Sequence, residues 1–203
     1  MGKIYGVLLA AGESRRMGFP KPLLRIGSET YLEHLTTAML DAVDRLIIVL
    51  GAHIDKIRPT LPDDPRITVV ENPNYVRGQL SSLKVALAQA TDAQAIVMHL
   101  IDHPQVKAAT FRAVVEYYER LRKPIVIARC EGRRGHPVIF DRAVFQELLE
   151  APEAEGARVV VNADPLRVAY CDVADGGVVL DLDTPADLAR AGMRGPDQSR
   201  NRA

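Results

Sequence analysis

Short apolar runs rich in β-branched residues alternate along the chain with longer stretches in which apolar positions recur every three or four residues. The first pattern is that of pleated strands, and the second is that of helices with one buried face. Strands are predicted over residues 4–9, 46–49, 67–70, 95–100, 125–128, 137–140 and 178–180. Most of these runs are apolar at nearly every position, as in strands covered on both faces. The predicted fold class is therefore α/β, a mostly parallel sheet with helices on both faces in a three-layer, Rossmann-like arrangement.

Between the strands, Tyr31, Leu32, Leu35, Ala38, Met39, Ala42 and Val43 share one helical face. Thr30 and Glu33 have the spacing of a capping box, in which a hydroxyl and a carboxylate each satisfy a backbone N–H at the helix start. Leu80, Leu83, Leu87 and Ala90 mark a second helix, Phe111, Val114, Val115, Tyr118 and Leu121 a third, and residues 143–149 a fourth. Thr184-Pro185-Ala186-Asp187 opens the last one with an N-cap hydroxyl, a proline at the first helical position and an acid at the third. No repeat or low-complexity linker divides the chain. One domain is expected over residues 1–194, followed by a disordered tail over 195–203 that has nothing to bury.

A chain of 203 residues hides enough surface for a core without covalent staples. Cys130 and Cys171 are the only cysteines, which leaves no disulfide framework and no CxxC knuckle. The 26 basic and 26 acidic side chains cancel, which argues against a nucleic-acid partner, because phosphate-tracking surfaces carry a basic excess. The first residues lack a secretory signal pattern and no apolar run is long enough to span a bilayer, so a cytoplasmic protein with no membrane partner is expected.

The most informative stretch follows the first strand: Leu9-Ala10-Ala11-Gly12-Glu13-Ser14-Arg15-Arg16-Met17-Gly18-Phe19-Pro20-Lys21-Pro22. Small residues there let backbone N–H groups approach a ligand, and Arg16 and Lys21 supply charge against phosphates. Lys21 is followed by proline rather than the Ser or Thr of a Walker A loop, and the glycines of a dinucleotide fingerprint are missing. The plainer alternative is a strand-to-helix loop with solvated arginines.

The pattern Leu9-Ala10-Ala11-Gly12-x-Ser14-x-Arg16-Met17-Gly18-x-x-Lys21 resembles the signature of nucleotidyltransferases that join a nucleoside monophosphate to a phosphorylated acceptor, in particular those of the molybdenum cofactor. The resemblance extends through further segments to about Ala191. It implies the nucleotide-diphospho-sugar transferase type of Rossmann-like fold, a triphosphate wrapped by the first loop, and Arg16 and Lys21 stabilising the transition state.

Asn72-Pro73-Asn74-Tyr75-Val76-Arg77-Gly78-Gln79-Leu80-Ser81-Ser82-Leu83 follows a strand and opens a helix. By itself it reads as a turn and an N-cap. The resemblance makes it the nucleoside-selecting segment, with Asn72, Gly78, Ser81 and Ser82 as nucleotide contacts. Asp102 sits just past an apolar strand, where open α/β sheets place ligands, and an acid there suits Mg²⁺, which favours carboxylate and phosphate oxygens. The family commonly has Gly-Asp-Gln-Pro where this chain has Ile101-Asp102-His103-Pro104. Because the segment is strand-like before Asp102, His99 and His103 are not brought together as an i, i+4 pair is on a helix, so a zinc site is not expected, and His99 is read as a satisfied buried ring. In Asp181-Leu182-Asp183-Thr184, one acid is expected to face the site, and Asp183 is preferred over Asp181 as the second metal ligand. Gly132-Arg133-Arg134-Gly135-His136-Pro137 resembles the family's Gly-His-Pro turn, which implies Arg134 and His136 as acceptor contacts, with a solvated hairpin as the alternative. Gly156-Ala157-Arg158 also echoes the family and receives no role.

The implied reaction is Mg²⁺-dependent transfer of CMP from CTP to the phosphate of molybdopterin, with release of pyrophosphate, the product serving a molybdenum hydroxylase apoenzyme. An acceptor that is already a phosphate is ionised and needs no general base, in accord with the lack of any Ser-His-Asp or Cys-His pattern. Guanylyltransferases of the same cofactor usually show Leu-Ala-Gly-Gly and Gly-Pro-Leu-Ala-Gly, whereas this chain has Ala11 in the first loop and Gly78-Gln79-Leu80-Ser81-Ser82 in the second, as in the cytidylyl branch. GTP as donor, another small phosphorylated acceptor, and a noncatalytic nucleotide-binding or cofactor chaperone remain as alternatives.

Overall fold

A computed structural model describes residues 2–193; the expected tail over 195–203 lies outside them. The first strand, β1 (Lys3–Ala10), is buried from Ile4 to its end. A small two-stranded ribbon follows, β2 (Arg25–Ile26) and β3 (Glu29–Thr30), then β4 (Arg45–Leu50), β5 (Ile67–Glu71), β6 (Ala93–Leu100), β7 (Ile125–Cys130), β8 (Arg133–Asp141) and β9 (Val168–Asp172). Seven of them form one sheet in the order β5-β4-β1-β6-β8-β7-β9. β1 pairs in parallel with β4 and β6, β4 with β5, and β7 with β9, while β8 runs antiparallel to both neighbours.

Helices cover both faces. On one, α1 (Tyr31–Leu40) and α4 (Ala108–Leu121) pack beside Leu8, Ile48 and Val97. On the other, α3 (Gln79–Leu87) and α5 (Phe145–Glu150) pack beside Val7, Ile47 and Ile96. Alternate residues of one strand thus feed two cores. Three shorter helices, α2 (Ile54–Ile57), α6 (Arg158–Ala163) and α7 (Pro185–Arg190), complete the set. Tyr31, Leu32, Leu35 and Met39 of α1 are fully buried, each contributing about 1.5–3 kcal/mol of transfer free energy.

Both capping boxes form. The Thr30 hydroxyl accepts from Glu33 N at 3.1 Å and the Thr184 hydroxyl from Asp187 N at 3.3 Å, while each acid accepts from its cap's backbone N–H at 2.7 Å. Three expectations are corrected. Helix α1 stops at Leu40, before Ala42 and Val43. Residues 178–180 are not a strand: Gly176–Val179 is a 3₁₀ turn, capped by the Asp175 carboxylate accepting from Gly177 N at 3.0 Å. The last strand is instead β9, which the sequence pattern did not single out.

From β1 the chain winds outward through β4 to β5, then returns to lay β6 on the opposite side of β1. This reversal splays the loops after β1 and β6 apart and opens a crevice at the carboxyl end of the sheet, the place where open α/β sheets bind ligands. Among the described residues no helix is long and apolar enough to cross a membrane.

Candidate active site

The loop after β1 is shaped by its own backbone. Ser14 sits in the left-handed region at φ 55°, and its carbonyl accepts from Met17 N at 3.0 Å and Gly18 N at 3.1 Å. Gly18 has φ 71°, which a side chain would disfavour. The Met17 side chain is buried in the core, pinning the loop from below. The Ser14 hydroxyl accepts from Lys21 N at 3.0 Å and thereby joins the two ends of the loop. Gly12 faces open space, where an added Cβ would meet nothing.

Lys21 starts a 3₁₀ turn, Lys21–Leu23, and its side chain is 9% exposed. An ammonium this shielded requires a charged partner. It has two, Asp183 Oδ1 at 2.5 Å and Asp102 Oδ2 at 3.6 Å. Arg16 lies on the open side and reaches Asp183 Oδ2 at 2.7 Å. Burial pushes the Asp183 carboxyl up, but Lys21 and Arg16 outweigh it and hold it below the usual carboxylate range.

Backbone ties fix these groups. Ile101 N donates to Leu9 O at 3.2 Å and Leu182 N to Asp102 O at 2.9 Å, stitching the loops after β1 and β6 and the segment before α7 together. Asp183 N and Thr184 N donate to the Asp187 carboxylate at 3.1 and 2.7 Å. Asp181 turns away from Lys21 and pairs with His103 Nε2 at 2.9 Å, so Asp183 is the acid that meets Asp102. Residues 181–183 belong to no strand, and the two acids take different partners.

The cleft at this edge measures about 330 Å³, within the range of small-molecule sites. Of the residues singled out from sequence, Leu9, Ala11, Gly12, Ser14, Arg16, Lys21, Gly78, Ser82, Asp102 and Asp183 line it. Ala10 faces the core beneath α1 instead. Asn72 and Ser81 are buried outside the lining: Asn72 Nδ2 donates to both Ser81 Oγ and Ser82 Oγ at 2.9 Å, and Ser81 Oγ donates to Gly78 O at 2.7 Å. They hold the loop rather than present free hydroxyls.

Arg134 and His136 also lie outside the lining. Arg134 is exposed and stacks with its Cζ 5.0 Å from the centroid of the Tyr170 ring. Burial, together with His103 nearby, pushes the His136 pKa down to about 3. A neutral ring offers no charge to an anion, so His136 could meet an acceptor only through a hydrogen bond. His99 is half satisfied: its Nε2 is 3.1 Å from His103 O, but Nδ1 has no partner among the described residues. Its ring lies 6.1 Å from that of His103, closer than strand geometry implies, because His103 already belongs to the following turn.

Arg15, Tyr75, Gln79, Leu100 and Ile101 line the cleft without having been singled out. Tyr75 and Gln79 lay inside the quoted second segment, and only folding distinguishes which of its side chains face inward.

The donor set fits a hard divalent cation. Asp102 Oδ1 is buried without a hydrogen-bond partner, and one ammonium touches both carboxylates. Among the described residues no cluster of three or more His, Cys, Asp or Glu is placed to hold a metal. Two carboxylates suit an ion that takes its remaining ligands from phosphates and water.

Residues 6–169 match the family described as the MobA-like NTP transferase domain. The chain is 25% identical over 195 residues to the molybdenum cofactor cytidylyltransferase of Escherichia coli, covering 96% of this chain and 98% of that one. It is 32% identical over 197 residues to the 2-C-methyl-D-erythritol 4-phosphate cytidylyltransferase of Salmonella newport, covering 83% and 81%. Among solved structures, Rv0371c of Mycobacterium tuberculosis superimposes with a TM-score of 0.80 at 36% identity over 93% of this chain and 96% of that one. The same protein in complex with manganese gives a TM-score of 0.77 at 35% identity, covering 93% and 97%.

Proposed function

The chain belongs to the MobA-like NTP transferase family and is a nucleotidyltransferase, and on that premise we propose that it transfers CMP from CTP to the phosphate of molybdopterin, releasing pyrophosphate. One observation carries the reading of the site: the Lys21 ammonium touches both Asp102 and Asp183 in a cleft at the reversal point of the sheet.

An oxygen of the acceptor phosphate attacks the α-phosphorus, and the bond from the α-phosphorus to the bridging oxygen breaks with its electron pair leaving on pyrophosphate. No proton has to move. What the protein supplies is position and charge. The backbone of the loop after β1 wraps the triphosphate, and Arg16 and Lys21 face the charge that grows on the leaving group. Asp102 and Asp183 would hold the divalent cation, Mg²⁺ in this proposal, which supplies charge neutralisation at the phosphates when bound. Lys21 is then the shared counter-charge of the acids and the phosphates.

The choice of CTP rests on Ala11, whose Cβ narrows the cleft where the guanylyl branch has glycine, and on Ser82 at its wall. Arg134 is the proposed contact for the remote part of the acceptor, and the product would pass to a molybdenum hydroxylase. The 32% identity to a cytidylyltransferase of another phosphorylated acceptor supports a second reading, the same CMP transfer to a smaller phosphate. Pyrophosphate release, measured with CTP, GTP and ATP against molybdopterin and 2-C-methyl-D-erythritol 4-phosphate, decides among them. Preference for GTP would refute the donor, and turnover with only the second acceptor would refute molybdopterin.

A further inference from the structure

One end of the cleft holds the Lys21, Asp102 and Asp183 cluster and the other holds an aromatic ring, with the Arg15 guanidinium also in the lining. Asp102 follows β6 on one side of β1, while Tyr75 follows β5 and stands on the other. On the proposed reading of the site the phosphates go to the first, which leaves the second for the base, where Tyr75 is the aromatic ring in the lining.

That ring is seated on backbone. A Cβ built on Gly51 would lie 2.7 Å from Tyr75 Cδ1, 2.9 Å from Tyr75 Cβ and 2.8 Å from Ala11 O. Gly51 follows β4 and lets the loops after β1, β4 and β5 meet without a side chain between them. The turn that carries Tyr75 is rigid: Asn72 N donates to Leu50 O at 2.8 Å, Asn74 N to Asn72 Oδ1 at 2.9 Å and Gly78 N to Tyr75 O at 3.1 Å. The buried Asn72 amide, bonded to Ser81 and Ser82, anchors that turn to α3. The ring is half-buried. This much scaffolding around one half-buried ring at the cleft is what a preorganised stacking wall requires.

We propose that Tyr75 is the specificity-determining wall of the nucleoside end: its ring packs against the base and sets the size of base admitted, with Gly51 holding it back and the Asn72 network holding it still. The proposal rests on the cytidylyl reading for which base that is. An aromatic face favours any base, so Tyr75 acts on size by position and on affinity by stacking.

The test compares wild type with Tyr75→Ala, Tyr75→Phe and Tyr75→Trp. It uses steady-state pyrophosphate release with CTP and GTP, and calorimetric binding of each nucleotide with Mg²⁺ in the absence of acceptor. Tyr75→Ala should raise KM and Kd for CTP about tenfold while kcat changes little, and should bring the CTP-to-GTP ratio of kcat/KM toward unity. Tyr75→Phe should keep the wild-type ratio, and Tyr75→Trp should penalise GTP more than CTP. Unchanged KM, Kd and ratio in folded Tyr75→Ala, or loss confined to kcat, would overturn the wall. The wild-type preference by itself tests the cytidylyl reading, so the two fail separately.

Discussion

The Lys21 ammonium lies 2.5 Å from Asp183, although 162 positions separate them in the chain. The contact makes the site a joint product of both ends of the fold. The loop after β1 provides the cation, the segment before α7 provides the acid, and Asp102 lies on the far side of the same ammonium at 3.6 Å. In this structure the cations proposed to face phosphate, Lys21 and Arg16, already pair with acids proposed to hold the metal. Charges that would be costly to shield singly are stored as a set.

Removing either member should disable turnover. Lys21→Ala and Asp183→Asn are each expected to lower kcat by on the order of a hundredfold, the scale for loss of one preorganised electrostatic group. Circular dichroism should show both variants folded, and near-normal kcat in either would remove it from the chemistry.

Thr184→Ala breaks one half of the second capping box. The Asp187 carboxylate also receives Asp183 N, so loosening this cap loosens the acid beside Lys21. The expected cost is about 1 kcal/mol of stability, together with a fall in kcat. Thermal melting and turnover on the same sample check this; a lower Tm with unchanged kcat would mean that the cap does not position Asp183.

The His136 ring titrates at about 3 in the folded protein against an ordinary value of 6.5, chiefly because of burial and secondarily because of His103. The unfolded chain takes up the proton that the folded form refuses between those two values. This contribution to stability is therefore complete above 6.5 and is lost as pH falls toward 3. Tm should drop more steeply in wild type than in His136→Gln between about pH 7.5 and about pH 4.5. Parallel profiles would contradict the assignment; the buried His99 leaves a residual slope in both.

Gly135→Ala places a Cβ 1.8 Å from Val178 O, a backbone atom that no rotamer change can move aside. A destabilisation of about 1–3 kcal/mol or more is expected, read by chemical denaturation. The turn Gly176–Val179 leads into the acids at 181 and 183, so turnover should suffer as well. Wild-type stability would show that this turn is free to shift.

How much of this was legible in the chain varies from element to element. Strands such as β1 and β6 and the caps at Thr30 and Thr184 declare themselves because a few neighbouring residues carry the signal. Residues 178–180 have the composition of a strand but form the end of a turn, because Asp175 caps it and Gly135 lets it press against β8. β9 escaped notice because a short edge strand between turns has little periodicity to display. Within the second segment, Ser81 carries the same hydroxyl as Ser82 and both bond to Asn72, and only the fold brings Ser82 and not Ser81 to the cleft wall.

The sequence by itself determined the layered α/β class, the phosphate-loop pattern of Arg16 and Lys21, and the candidacy of Asp102 and Asp183, since each rests on local spacing and residue chemistry. Tertiary structure alone decided that one ammonium binds both acids, that Asp181 looks to His103, that His136 is shielded, and that Tyr75 rests on Gly51. Those facts depend on strand order and on which loops meet at the carboxyl edge of the sheet. Contacts between residues distant in the chain are fixed by how the layers pack, and no window of neighbouring residues contains that information.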